Sequence, residues 1–210
     1  MKATPSEPRS KPRKRPTQAR AKFTVQAIFD TYVRIWQRDG WERLTTRAVA
    51  LEAGVAVGTL YDYFPSKQAL HSGYVRHCIE TLIHAVDEQV VQVPGLSWQQ
   101  RIQRLIRLLC GLERAELSWF HPDMLKLEAQ IAEHKHQRRA CEELAAMWQR
   151  VIDACTDLPE PPPPSRVEAL HLAVWGGRRY AMLVQLDEPQ LCQWAQEMEY
   201  MCLAALQSHN

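Results

Sequence analysis

Between Trp41 and Lys67 the string WERLTTRAVALEAGVAVGTLYDYFPSK gathers hydroxyls and cations at short intervals: Thr46, Arg47, Thr59, Tyr61, Tyr63 and Lys67. Hydroxyls and Lys at such places bind phosphate oxygens and sugars without reading sequence, whereas Arg also pairs with the edge of a base. Upstream, Arg13, Lys14 and Arg15 form a basic run. It suits an arm that lies on phosphates or enters a minor groove, and equally a solubilising tail. Rival chemistry is weak. The sequence holds no nucleophile elbow, no phosphate-binding glycine loop and no zincin helix, so no catalytic residue is singled out. His134 and His136, two apart, would point to different sides of a helix and share no clear face with Cys141. Neither a metal site nor a cofactor is expected.

Two short helices and a turn must hold these groups. Thr45 or Thr46 caps the first helix, its hydroxyl accepting from an otherwise unpaired first-turn N–H. Val49, Ala50 and Ala53 follow at helical spacing. Gly54 ends that helix, because a left-handed residue costs glycine least. A second helix, residues 57–63, turns Leu60 and Phe64 towards the first, and Phe64-Pro65 stops it, since the residue before a proline avoids the helical region. Before them, residues 17–39 form an amphipathic helix with Val25, Ile28, Phe29, Tyr32, Ile35 and Trp36 on its buried face, ended by Gly40. A helix, a tight glycine turn and a second short helix make a helix-turn-helix, whose second helix can lie in the major groove of DNA.

The stretch resembles the amino-terminal DNA-binding domain of the TetR/AcrR family of bacterial transcriptional regulators. The resemblance rests on Ile28 to Gly40, Leu44-Thr45-Thr46-Arg47, Ala53-Gly54-Val55, Gly58-Thr59-Leu60-Tyr61 and Tyr63-Phe64-Pro65-Ser66-Lys67, and covers about the first third of the chain. It implies that Thr46, Tyr61, Tyr63 and Lys67 contact the DNA backbone and that Arg47 reaches into the groove. Three readings of Arg47 stay open: a base edge, a phosphate, or an internal pair with Glu52 or Asp39. The presumed reading helix carries no Arg, Lys, Asn or Gln. What remains for base contact is Val57 and Thr59, whose methyls suit a thymine methyl, with Gly58 letting the backbone come close. Two departures matter. Ala56 stands where the family often has a Ser cap, and Val57 where Lys is common; both weaken anion affinity at that helix start.

Beyond the reading head the periodicity is helical throughout. One helix runs from Ser66 to about residue 92, and Ser97 with Gln100 gives a capping box for the next. Further helices are expected at about 122–134 and 137–156. After the stiff Pro159 to Pro164 segment, Ser165 and Glu168 suggest another capping box, on a helix reaching about Leu186. Gly176-Gly177 lies inside that helix, where glycine is unfavourable, and close approach of another helix is one compensating reason. A last helix reaches about Leu206. The fold class is therefore all-α with about nine helices. Residues 1–16 form a disordered basic arm, 17–67 a three-helix helix-turn-helix domain, and 68–210 a helical domain that the resemblance implies is effector-binding and dimerising.

The resemblance implies more than the reading head. The last two helices should form a dimer contact, and Ala173, Gly177 and Ala181 make a small-residue strip there, with Leu191, Trp194 and Met198 turned inward. Packing within one chain is the other reading of that last group. The helices between should hold a small, largely apolar ligand. Leu109, Trp119, Phe120, Met124, Met147, Trp148 and Trp175 are the apolar candidates, with Arg178 and Glu128 as polar anchors. The expected protein is a homodimeric repressor, released from a palindromic double-stranded operator by that ligand. The alternatives are a DNA-binding protein of the same fold without an effector, or a cytosolic all-α enzyme.

Bulk properties agree. Of the net charge of +2, residues 1–22 hold eight basic side chains against Glu7, a local +7, so the remainder carries −5. Residues 23–67 balance five basic against five acidic groups, so any excess attraction to DNA comes from the arm. Six scattered cysteines suggest free thiols in a reducing cytoplasm. No apolar core for a signal peptide and no run approaching the ~18 apolar residues of a membrane span is present. A bacterial cytoplasmic protein, on the nucleoid when bound, is expected.

Overall fold

The computed structural model describes residues 19–113 and 118–207, and every regular element among them is helical. Nine α-helices are described: α1 Ala19–Arg43, α2 Thr46–Glu52, α3 Val57–Tyr63, α4 Lys67–Val86, α5 Trp98–Cys110, α6 Pro122–Ile131, α7 His134–Asp153, α8 Pro164–Leu183 and α9 Glu188–Gln207. The chain divides into two compact units. One runs to His77 and includes Glu128–Ala132; the other holds Cys78–Leu127 and the chain from Glu133 onward. The arm residues Arg13, Lys14 and Arg15 lie outside the described residues.

The first unit is a small aromatic core wrapped by α1, α2, α3 and the start of α4. Ile28, Tyr32, Ile35 and Trp36 of α1 meet Leu44, Val49, Leu60, Phe64, Leu70 and Tyr74, all buried. Phe29 stands edge-on to Tyr74 and tilted against Phe64, both with centroids 5.5 Å apart. The Tyr32 hydroxyl lies 2.8 Å from His71 Nδ1, a buried polar contact between α1 and α4. Gly40 does interrupt α1, with φ 74°, and the chain then resumes one helical turn to Arg43.

The second unit is built on α5, whose Ile102, Leu105, Ile106 and Leu109 are buried against α7, α8 and α9. Ser97 and Gln100 form the expected reciprocal capping box. Asp187 and Gln190 form a second: Gln190 N donates to Asp187 Oδ1 at 2.9 Å, and Asp187 N to Gln190 Oε1 at 3.0 Å. Ser165 departs from expectation. The chain enters α8 through Pro163 with Pro164 in the first turn and no side-chain cap bond, because proline needs no N–H partner there.

The helix expected to reach residue 92 changes pitch instead. α4 ends at Val86, and Asp87–Val91 continue as a π-turn. Two arginines hold that turn, Arg101 from the next helix and Arg150 from 63 residues along the chain. Arg150 grips Asp87 through two bonds of 2.9 Å, a bidentate fork. Buried Arg101 donates to the carbonyls of Val90, Val91 and Val93, at and just past the end of the turn, where the helix supplies no partner.

Candidate nucleic-acid interface

The turn between α2 and α3 explains its own sequence. Thr45 Oγ1 accepts from Ala48 N at 3.1 Å and caps α2. At the other end Gly54 N donates to Leu51 O and Val55 N to Ala50 O, the paired bonds of a Schellman stop. Gly54 sits at φ +69°, where a side chain would strain the backbone. The stop aims α3 across α2, and Leu60, fully buried, fixes the crossing.

Thr46 does not cap. It is nearly buried, and its hydroxyl lies 3.0 Å from the Tyr61 hydroxyl, linking the first turn of α2 to α3. Tyr61 itself is exposed, so its ring edge and remaining hydroxyl capacity stay available. Gly58 is exposed, and Val57, Thr59 and Tyr63 are half-buried. α3 starts at Ala56 with no side-chain cap.

The two cations differ. Lys67 is drawn inward: its ammonium donates to the Trp41 carbonyl and lies 3.9 Å from the Trp41 ring centroid. Burial pulls its pKa below the ordinary lysine value. Lys67 thus ties the end of α1 to the start of α4. Arg47 is exposed, and its two suggested internal partners are engaged elsewhere. Glu52 pairs with Arg34 at 3.4 Å and with Arg38 at 3.2 Å, and Asp39 pairs with Arg38 at 2.9 Å. The Arg38 guanidinium bonds the Asp39 carboxylate and holds its pKa below the usual range. Sequence reading missed this Arg34–Glu52–Arg38–Asp39 network; the facing charges of α1 and α2 were its signal.

In the second unit Leu109, Met124, Met147 and Trp148 are buried, while Trp119, Phe120 and Trp175 are half-buried. Arg178 lies against Gly111, where an added Cβ would stand 3.0 Å from its guanidinium. Glu128 belongs to the first unit. Of the strip assigned to a dimer contact, Ala173 alone is exposed. Gly177 admits the Trp194 ring, Ala181 and Leu191 are buried, and Trp194 and Met198 pack on the core of the same chain. The exposed apolar face of α8 and α9 is made by Leu172, Tyr180 and Leu183, Val184 at the end of α8, and Tyr200 and Met201. Its α8 part falls at helical intervals and was readable as a second stripe.

These features define a class: an all-helical protein with a helix-turn-helix DNA-binding domain ahead of a larger helical unit. Comparison with known proteins narrows it. Residues 28–72 match the family described as bacterial regulatory proteins, tetR family. The transcriptional repressor KstR of Rhodococcus jostii is 36% identical over 80 residues, 38% of this chain. That match spans 35% of the relative's length. A TetR transcription regulator from Haloarcula marismortui superposes with a TM-score of 0.67 at 18% identity, over 87% of this chain and 98% of that one. A complex of SmeT with triclosan superposes at 0.56 and 19% identity, over 87% and 90%. The likeness to the tetR family thus rests on residues 28–72, and the likeness to the solved structures is one of fold.

Proposed function

We propose that the chain is a homodimeric, sequence-specific transcriptional repressor, released from a palindromic operator by a small, largely apolar ligand in its second unit. The observation that carries this reading is the α2–α3 crossing at Gly54, which leaves Arg47, Gly58 and Tyr61 exposed on the reading head. The KstR similarity, on a repressor, supports it. One such head contacts little DNA, so two copies are needed, with half-sites about one helical turn (~34–36 Å) or multiples apart. The exposed apolar face of α8 and α9 supplies a surface for the second copy; Tyr180 and Tyr200 are 67% and 70% exposed. Release requires the ligand to favour one arrangement of the heads over the other.

Selection of bound sequences from random duplex DNA, at a stated salt concentration, tests the reading. An inverted repeat with half-sites at that spacing is expected. A strictly monomeric protein, or no enrichment even in dilute buffer, would overturn it.

A further inference from the structure

The seam between α7 and α8 holds two polar atoms that the fold leaves unanswered. Leu144 and Trp148 of α7, one turn apart, face Val167, His171 and Val174 of α8, and all five are buried. Trp148 is 0% exposed and His171 1%, with ring centroids 6.5 Å apart. Trp148 Nε1 and His171 Nδ1 are both enclosed and have no hydrogen-bond partner among the described residues. Buried groups of this kind are seldom left unpaired. Here two fall on neighbouring rings of one seam. Small side chains flank it: Cys141 and Ala145, two turns and one turn before Trp148 on the same face, are only half-buried.

We infer that Trp148 and His171 form the polar end of the ligand site, and that they bind the hydroxyl of an uncharged, otherwise apolar molecule. The assignment rests on the proposed effector role of the second unit and names the chemistry of that effector. Indole N–H only donates, so the ligand must present an acceptor. That excludes an ammonium. The second nitrogen decides the rest. His171 Nε2 lies 3.7 Å from Cys141 Sγ, and burial favours the neutral ring, which has one N–H and one lone pair. A hydroxyl oxygen accepts from Trp148 and answers His171 in either tautomer, donating to a bare Nδ1 or accepting from a protonated one. A carbonyl fits one tautomer alone. A carboxylate would bring an unpaired charge into an apolar seam, with Glu168 the acidic group acting on His171. A trapped water answering both rings always leaves a hydrogen without a partner among Leu144, Val167 and Val174, whereas a hydroxyl that donates to a bare Nδ1 leaves none.

The test uses the full chain with phenol and hexan-1-ol, against anisole, benzoate and hexanoate. Binding is read by thermal shift and by the Trp148 indole N–H resonance, assigned from Trp148→Phe. The alcohols should move that resonance and raise Tm. The blocked and charged analogues should do so at least ~10-fold more weakly. Trp148→Phe, which keeps an aromatic ring but loses the donor together with part of the indole, should weaken phenol binding ~3–10-fold while the protein stays folded. His171→Gln, which retains a hydrogen-bonding side chain, should weaken it less than His171→Leu. A Trp148 resonance unmoved by both alcohols, or moved equally by anisole, would overturn the assignment. If an alcohol nonetheless shifts Tm and releases DNA, the effector role survives and the site lies elsewhere. If selected DNA is bound and no probe has any effect, the hydroxyl site fails while the DNA-binding reading stands.

Discussion

Thr46 Oγ1 and Tyr61 OH lie 3.0 Å apart, so the first turn of α2 and the middle of α3 share one hydrogen bond across the reading head. It sets the angle at which α3 is presented, because α3 is only seven residues long and has no side-chain cap of its own. A helix that short owes its stability to packing. Removing one hydroxyl strands the other where Thr46 is nearly buried.

Tyr61→Phe should therefore cost about 1–2 kcal/mol of stability, and Thr46→Val a similar amount. The double variant should cost clearly less than the sum, since both singles break the same bond. Urea unfolding of the four proteins checks it. Additive losses would mean the two hydroxyls act independently.

Arg47→Ala should reduce binding to the selected operator by about 5–150-fold, the ~1–3 kcal/mol of a bidentate base contact, and bind random duplex almost as before. The expectation follows from Glu52 and Asp39 being held by Arg34 and Arg38, which leaves the Arg47 guanidinium exposed. Titration of both duplexes at one salt concentration measures it. Equal loss on the two would make Arg47 a phosphate contact.

Deleting residues 1–16 removes Arg13, Lys14 and Arg15, in the part of the chain that carries its excess positive charge. The slope of log K against log salt should flatten by ~0.9 for each phosphate the arm neutralises, so by up to about 5 units if all six basic side chains of the deleted segment do so. Binding isotherms at four salt concentrations give the slope. An unchanged slope would make the segment a tail.

The reading head was legible because its signals are local. Thr45, Gly54 and Pro65 each act within one turn of themselves, and the α1 aromatics repeat at helical spacing. The π-turn was not, because the groups that answer its carbonyls come from Arg101, and the fork on Asp87 from Arg150, 63 residues away. Periodicity carries no record of such partners. The Gly176-Gly177 pair shows the boundary well. A close helix approach was the expected reason, and it holds at Gly177, against Trp194 of α9 within the same chain; at Gly176 an added Cβ would meet nothing within 4 Å. His171 escaped notice because a histidine on an apolar helix face has no sequence signature of being left with an unanswered nitrogen.

That distinction between the two glycines is measurable. At Gly177 an added Cβ would stand 2.7 Å from the Trp194 ring, which is itself packed on the core. Gly177→Ala should destabilise by about 1–3 kcal/mol, an overpacking cost. Gly176→Ala should be neutral or stabilising by up to ~1 kcal/mol, from the better helix propensity of alanine. Thermal unfolding of both variants separates them; matched losses would place the cost in the helix backbone and not against Trp194.

Acid should weaken the second unit through His171. Burial lowers its pKa from the ordinary 6.5, with Glu168 and a backbone bond at Cys141 acting in the opposite direction. Above pH 6.5 neither the folded nor the unfolded chain holds this proton, and the group contributes nothing to the pH dependence. Below it the unfolded chain takes the proton first, so stability falls, by at most ~1.4 kcal/mol per pH unit for one site, until the folded-state pKa is passed. Urea unfolding of the wild type and of His171→Leu, at pH 7.5 and again at pH 5, isolates the effect. The wild type should lose more stability on acidification than the variant does. The variant should also lose the unanswered Nδ1, so its stability at pH 7.5 reflects repacking at the seam and not titration. A wild-type acid loss fully retained in the variant would assign it to other groups and leave His171 protonated as easily folded as unfolded.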